Sequence, residues 1–180
     1  MKLPAAPTVI KYFLAAAVLA ALAVNPWPVA RAFDTGRQGP AAKDISIIVA
    51  GTEERPAWRV FGSAIGGVST GDLFYIDATK YPQSFRASLL LANASQLVSG
   101  YNYLVLRISV LVQSEDGQWL QAVDASGAVI KEAVITLQNS LLTYELPGGG
   151  QYNLTVSGGT YRASAGNGAT VAPEFRVLVD

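Results

Sequence analysis

A chain of 180 residues that is 51% hydrophobic and 14% charged has ample apolar surface for one core and no composition for general disorder. Thirteen basic residues balance thirteen acidic ones without a basic cluster, which offers nucleic acid no electrostatic footprint. Histidine and cysteine are both absent, which removes Ser-His-Asp nucleophiles, thiol mechanisms, histidine general-base catalysis and zinc sites built from imidazole or thiolate.

Lys2 and Lys11 precede an apolar run at residues 13–24 that Asn25, Pro26 and Pro28 terminate. Its 12 residues fall short of the roughly 20 that span a bilayer, and Ala30 and Ala32 put small side chains where a signal peptidase reads. Residues 1–32 are therefore expected to be a signal peptide cleaved before Phe33. The alternative is an uncleaved anchor extended by Val29 and Ala30, and in either case the domain faces outward. Without Lys2, Lys11 and Arg31 the remainder carries ten basic against thirteen acidic residues, a net −3. The alanine-rich leader and the lack of cysteine fit a bacterial exported protein stabilised by its core rather than by disulfides. In a eukaryotic secretory pathway Asn93 and Asn153 would each head a glycosylation sequon.

Residues 33–43 are polar, glycine-containing and aperiodic, and read as a flexible arm; residues 44–180 read as one domain. Short β-branched or aromatic runs follow at 45–50, 57–61, 73–77, 84–92, 101–112, 119–123, 133–137, 141–146, 152–156, 160–163 and 175–179. The clearest alternation puts Leu104, Leu106, Ile108, Val110 and Val112 on one face. Phe85, Ala87, Leu89 and Leu91 form a second such row, and Phe175, Val177 and Val179 a third. Turns at 115–117, 125–127, 147–150 and 157–159 favour antiparallel hairpins, and one short helix fits at 93–99 or near 78–84. The pattern predicts an all-β fold, an antiparallel β-sandwich of jelly-roll or immunoglobulin-like type.

The turn and strand at 123–129, the strand at 133–137 and the proline-glycine-tyrosine stretch at 146–156 resemble transthyretin-like or carboxypeptidase-regulatory-like surface modules. The resemblance spans about a third of the chain, and the glycine-containing turn usual before the late strand is missing at 138–141. It implies a transthyretin-like sandwich with a structural or adhesive role and carries over no catalytic residue.

Two catalytic routes survive the composition: a carboxylate pair, or serine with a deprotonated lysine. Asp72 and Asp77, five apart on one strand, are expected on opposite faces, while Lys43, Lys80 and Lys131 sit in polar or turn contexts. Calcium is the one metal compatible with the composition, yet no Asp-x-Asp-x-Asp-Gly spacing occurs, so no metal and no cofactor are expected. Among the aromatic residues, Trp119, Tyr101 and Tyr103 are the candidates for an exposed binding patch, against the alternative that they pack within the fold. The expected function is that of a non-catalytic structural or interaction module, secreted or at the cell surface, meeting a protein or glycan partner or assembling with itself. A carbohydrate-binding domain is the alternative, and a small secreted hydrolase or inhibitor the third reading.

Overall fold

The computed structural model describes residues 31–37, 43–50, 65–68, 70–164 and 172–180, with residues 31–37, 65 and 66 described by their backbone. The expected leader up to residue 30, the run at 57–61 with Trp58, and the acidic pair Glu53 and Glu54 lie outside the described residues. Strands β1 (Arg31–Arg37), β2 (Ser46–Val49), β3 (Ile65–Gly67), β4 (Gly71–Asp77) and β5 (Phe85–Leu91) lead to one short helix, α1 (Ala94–Gly100). Strands β6 (Tyr101–Gln113), β7 (Trp119–Gln121), β8 (Ala133–Thr136), β9 (Leu141–Leu146), β10 (Gln151–Ala163) and β11 (Glu174–Val179) complete the chain.

The strands form two sheets, and their pairing is antiparallel except where β1 runs parallel to β11. The smaller sheet has the order β1-β11-β5-β9. The larger runs β2-β4-β10-β6-β7, with β3 sharing the β4 side of β10 and β8 sharing the β7 side of β6. The all-β expectation holds.

One apolar cluster draws on both sheets. Phe85, Ala87, Leu89 and Leu91 from β5 and Phe175, Val177 and Val179 from β11 meet Leu104, Leu106, Ile108 and Val110 from β6, all buried. These are the rows that the period-two pattern singled out, and each fully buried Leu, Ile, Val or Phe contributes roughly 1.5–3 kcal/mol. Phe85 joins the sheets directly, its ring meeting Tyr152 of β10 edge-on at 5.8 Å and Tyr81 at 6.3 Å.

Several local readings are corrected by the register. The turn expected at 157–159 is instead an irregularity inside β10, which runs through it without leaving the sheet. Val156 pairs with Ile108 and Gly158 with Arg107, so Ser157 is the extra residue. The insertion flips the phase of β10, and the buried set changes from Tyr152, Leu154 and Val156 to Tyr161 and Ala163. Gly158 and Gly159 adopt φ of 150° and 155°. A Cβ on Gly159 would stand 2.2 Å from the Val105 carbonyl oxygen, so β6 approaches too closely for any side chain there.

The turn at 147–150 is not a hairpin either, because β9 and β10 belong to different sheets. It carries the chain across the core, with the Gly149 amide donating toward the Ala78 and Tyr81 carbonyls at 3.0 and 2.8 Å. Residues 33–37, expected in the aperiodic arm, run as part of β1. Backbone pairing with the edge of β11 needs no side-chain alternation, which is why the sequence pattern carried no sign of it. The helix expected at 93–99 is present one residue later.

Both sequon asparagines are buried. The Asn93 side chain does not cap α1; its Nδ2 donates to the Ala172 carbonyl at 2.8 Å and its Oδ1 accepts from the Glu174 amide at 2.9 Å, tying α1 to the start of β11. The Asn153 Nδ2 donates to the Asp72 carboxylate at 2.8 Å. Neither amide nitrogen is available for glycosylation in the folded chain.

Two substitutions test this packing. Gly159→Ala is expected to cost roughly 3 kcal/mol or more in urea unfolding, while Gly158→Ala costs less because its Cβ meets the mobile end of Arg107. Tyr144 buries a hydroxyl that has no hydrogen-bond partner among the described residues, so Tyr144→Phe is expected to raise stability by about 1 kcal/mol in the same measurement.

Candidate functional site

Cross-strand pairing places one side chain from each strand in rows across the larger sheet. Ile48, Tyr75, Asn153, Leu111 and Gln121 form one such row, by the pairs Ile48 with Tyr75, Tyr75 with Asn153, Asn153 with Leu111, and Leu111 with Gln121. The next row toward the sheet end contains Asp77, paired with Gln151, and Gln113, paired with Trp119. Both rows face away from the core, since their strand neighbours Phe74, Ile76, Tyr152, Leu154 and Val110 are the buried ones.

Where these rows meet the sheet end, they line a depression of about 270 Å³. Tyr75 and Trp119 flank it with their rings 5.8 Å apart and tilted by 50°; Asp77, Gln113 and Gln151 supply the polar groups, and Ile48 one apolar wall. Trp119 is 36% exposed, held by the β6–β7 hairpin whose turn closes with the Ser114 amide donating to the Gln118 carbonyl at 2.8 Å. The Asp77 Oδ1 accepts from the Thr79 hydroxyl at 2.7 Å and from the Thr79 amide at 3.0 Å. Those two bonds, the hydroxyl first, hold its carboxyl below the usual carboxylate range against the opposing desolvation, with Lys80 and Gln151 adding lesser lowering effects.

Beside the depression lies a polar cluster on the same face. Asp72 accepts from the Tyr75 hydroxyl and from Asn153, which is 3% exposed and whose Oδ1 has no partner among the described residues. Asp72 and Asp77 share this face, contrary to the expectation from their spacing. A register shift explains it: Leu154 pairs with Phe74 but Thr155 with Asp72, so the extra residue Leu73 turns Asp72 to the outside while Leu73 and Phe74 are both buried. In register the two carboxylates stand opposite Thr155 and Gln151, four residues apart on β10, or about 13 Å at about 3.3 Å per residue. A carboxylate pair that cleaves glycosidic bonds needs a separation of about 5–9.5 Å.

The three residues expected to form an exposed patch do not come together. Tyr101 is 1% exposed, which corrects its assignment as a surface candidate: its ring meets Tyr161 edge-on at 5.8 Å inside the core. The cause is a shift in pairing, Arg162 with Tyr103 and Ala163 with Tyr101, which inserts Asn102 and reverses the alternation at the strand start. Tyr103 is 40% exposed but lies at the opposite end of β6 from Gln113, about 33 Å along the strand by the rise per residue. Trp119 alone of the three belongs to the depression. Its neighbours Tyr75, Gln113 and Gln151 were missed; the hairpin turn at 115–117 implied the partnership of Gln113 with Trp119, whereas nothing local links Asp77 with Gln151. Among the described residues no group of three carboxylates gathers to hold a metal ion.

No protein-family model matches this chain, and no curated protein matches it either.

Burial pushes the Tyr101 hydroxyl up to about 12 from an ordinary 10.0, with the neighbouring Tyr161 adding to the shift. A raised folded value means that Tyr101 favours the folded state fully below pH 10 and loses that contribution as pH rises toward about 12. Unfolding free energy measured between pH 9 and 12 is therefore expected to fall through this window, and to fall less steeply in Tyr101→Phe.

Proposed function

We propose that this chain is an exported, non-catalytic β-sandwich that works by binding, secreted or held at the cell surface. The observation that carries the reading is the depression at the end of the larger sheet, where aromatic, carboxamide and carboxylate side chains from four adjacent strands converge around Tyr75 and Trp119. A binding site needs groups fixed in place before the ligand arrives, and the tilted ring pair and the doubly bonded Asp77 are fixed in that way.

The shared apolar cluster and the Phe85–Tyr152 contact support two sheets stacked face to face. In that architecture the resemblance of residues 123–156 to transthyretin-like modules remains part of the proposal. Against a hydrolase stand the missing histidine and cysteine and the separation of Asp72 from Asp77. Export rests on the leader pattern ahead of Phe33, and a cut there would leave Phe33 to Arg37 as the part of β1 that stays beside β11. Against structural self-assembly through the larger sheet stand its short edges, β2 with four residues and β7 with three; the edges of the smaller sheet are longer, β1 with seven and β9 with six.

Two measurements test the proposal. Protein recovered outside the cytoplasm is expected to begin at Phe33 by intact mass, and an unprocessed cytosolic chain would remove the export reading. The purified chain is expected to sediment with insoluble envelope material, with Trp119→Ala sedimenting less while retaining its circular-dichroism spectrum. Equal sedimentation of the two would place binding elsewhere than in the depression.

A further inference from the structure

We propose that the depression between Tyr75 and Trp119 binds a neutral oligosaccharide, the two rings forming the stacking platform and Gln113, Gln151 and Asp77 reading hydroxyl groups. This names the ligand class of the binding site proposed above and rests on that reading.

The lining selects among ligand chemistries by elimination. No lysine or arginine lines the depression, and Lys80, which acts on Asp77 from outside it, already offsets that carboxylate, so an anionic ligand would find no cation to pair with inside the site. A single carboxylate with two carboxamides falls short of the six or more oxygens that calcium takes. A wholly apolar ligand would cover three polar side chains and return no hydrogen bond to them, at a cost of kilocalories for each. What remains is a ligand with apolar faces and a polar rim that both donates and accepts. A pyranose ring has that form: its C–H faces pack on aromatic rings, and its hydroxyls pair with carboxamides, which offer a donor and an acceptor side by side.

The strand spacing adds a length. Asp77 on β4, Gln151 on β10, Gln113 on β6 and Trp119 on β7 stand on adjacent strands about 4.8 Å apart, giving a row of about 14 Å across the strands. The side chains lean inward from that row and bring the Tyr75 and Trp119 rings to 5.8 Å, so the platform itself matches about one sugar ring and the rest of the row supplies its polar rim. The rings and Asp77 are already held by their own contacts, Trp119 on Tyr75 and Asp77 on Thr79, so little side-chain freedom is lost when the ligand arrives.

The test titrates the chain, recovered as exported, with hexasaccharides of β-1,4-linked glucose, xylose, mannose and N-acetylglucosamine, followed by amide and indole NMR shifts. A hexagalacturonate and a neutral glycine-serine hexapeptide serve as anionic and peptide comparisons. Saturable shifts confined to Tyr75, Gln113, Trp119 and Gln151 with at least one neutral hexasaccharide are expected, weakened about tenfold in Trp119→Ala and about threefold in Gln151→Ala. Trp119→Phe should restore much of the loss, which separates stacking from a folding defect. The absence of saturable shifts with every neutral hexasaccharide up to about 10 mM overturns the proposal. So does tighter binding of the hexapeptide or the hexagalacturonate at the same residues. If the chain still sediments with envelope material, and that retention resists periodate but yields to protease, the binding reading survives with a protein partner and the carbohydrate assignment falls.

Discussion

The antiparallel pairing of β6 with β10 sets the frame for the larger sheet. Both strands run 13 residues, and each supports two partners on its far side: β4 and β3 on β10, β7 and β8 on β6. A slip of one residue between them would turn every buried side chain of one strand outward, so the register has to be fixed at some point along their length. Gly158 and Gly159 fix it. The missing side chain on Gly159 lets the Val105 carbonyl approach, and the inserted Ser157 resets the phase so that Val156 before it and Tyr161 after it both point into the core. Two long strands that would otherwise drift out of phase with the core stay buried at both ends.

The same device, used three times in the described part of the larger sheet, decides what reaches its outer face. The insertion at Leu73 brings Asp72 out beside Tyr75 and Asn153; that at Asn102 takes Tyr101 in beside Tyr161; that at Ser157 permits the long run of β10. Each adds one residue to a strand, and each exchanges which side chains are solvent-facing beyond it. The polar cluster and the depression therefore depend on backbone irregularities as much as on residue types. Asp72 on a regular β4 would have pointed away from the Asn153 amide that it now accepts from.

Legibility in the sequence follows this division. Where alternation was uninterrupted, in β5, β11 and residues 104–112 of β6, the buried face was readable from period two alone, and the structure buries those rows except Val112, which is half-buried. Where an extra residue intervened, the reading failed in the direction that the insertion dictates: Tyr101 appeared exposed, Asp72 and Asp77 appeared opposed, and Gly158 and Gly159 looked like a turn. A glycine pair has the same signature in a tight turn as in a bulge, because both require space that a Cβ would fill. Of the depression, Trp119 was legible from its place after a charged turn, while Tyr75, Gln113 and Gln151 were not. Their meeting depends on β4 and β6 flanking β10, a fact about order in space that no local spacing encodes.

The two buried asparagines limit what the closed fold can carry. Each stands in an acceptor triplet, Asn93 before Ala94 and Ser95, Asn153 before Leu154 and Thr155, and an oligosaccharyltransferase meets such triplets on the nascent chain before any sheet has closed. A sugar tree attached then to Asn93 would crowd the nitrogen that donates to Ala172, and one on Asn153 the nitrogen that donates to Asp72. Enclosed as they are, both amides are incompatible with a sugar in the closed fold, so these bonds form only on a chain left unmodified at Asn93 and Asn153.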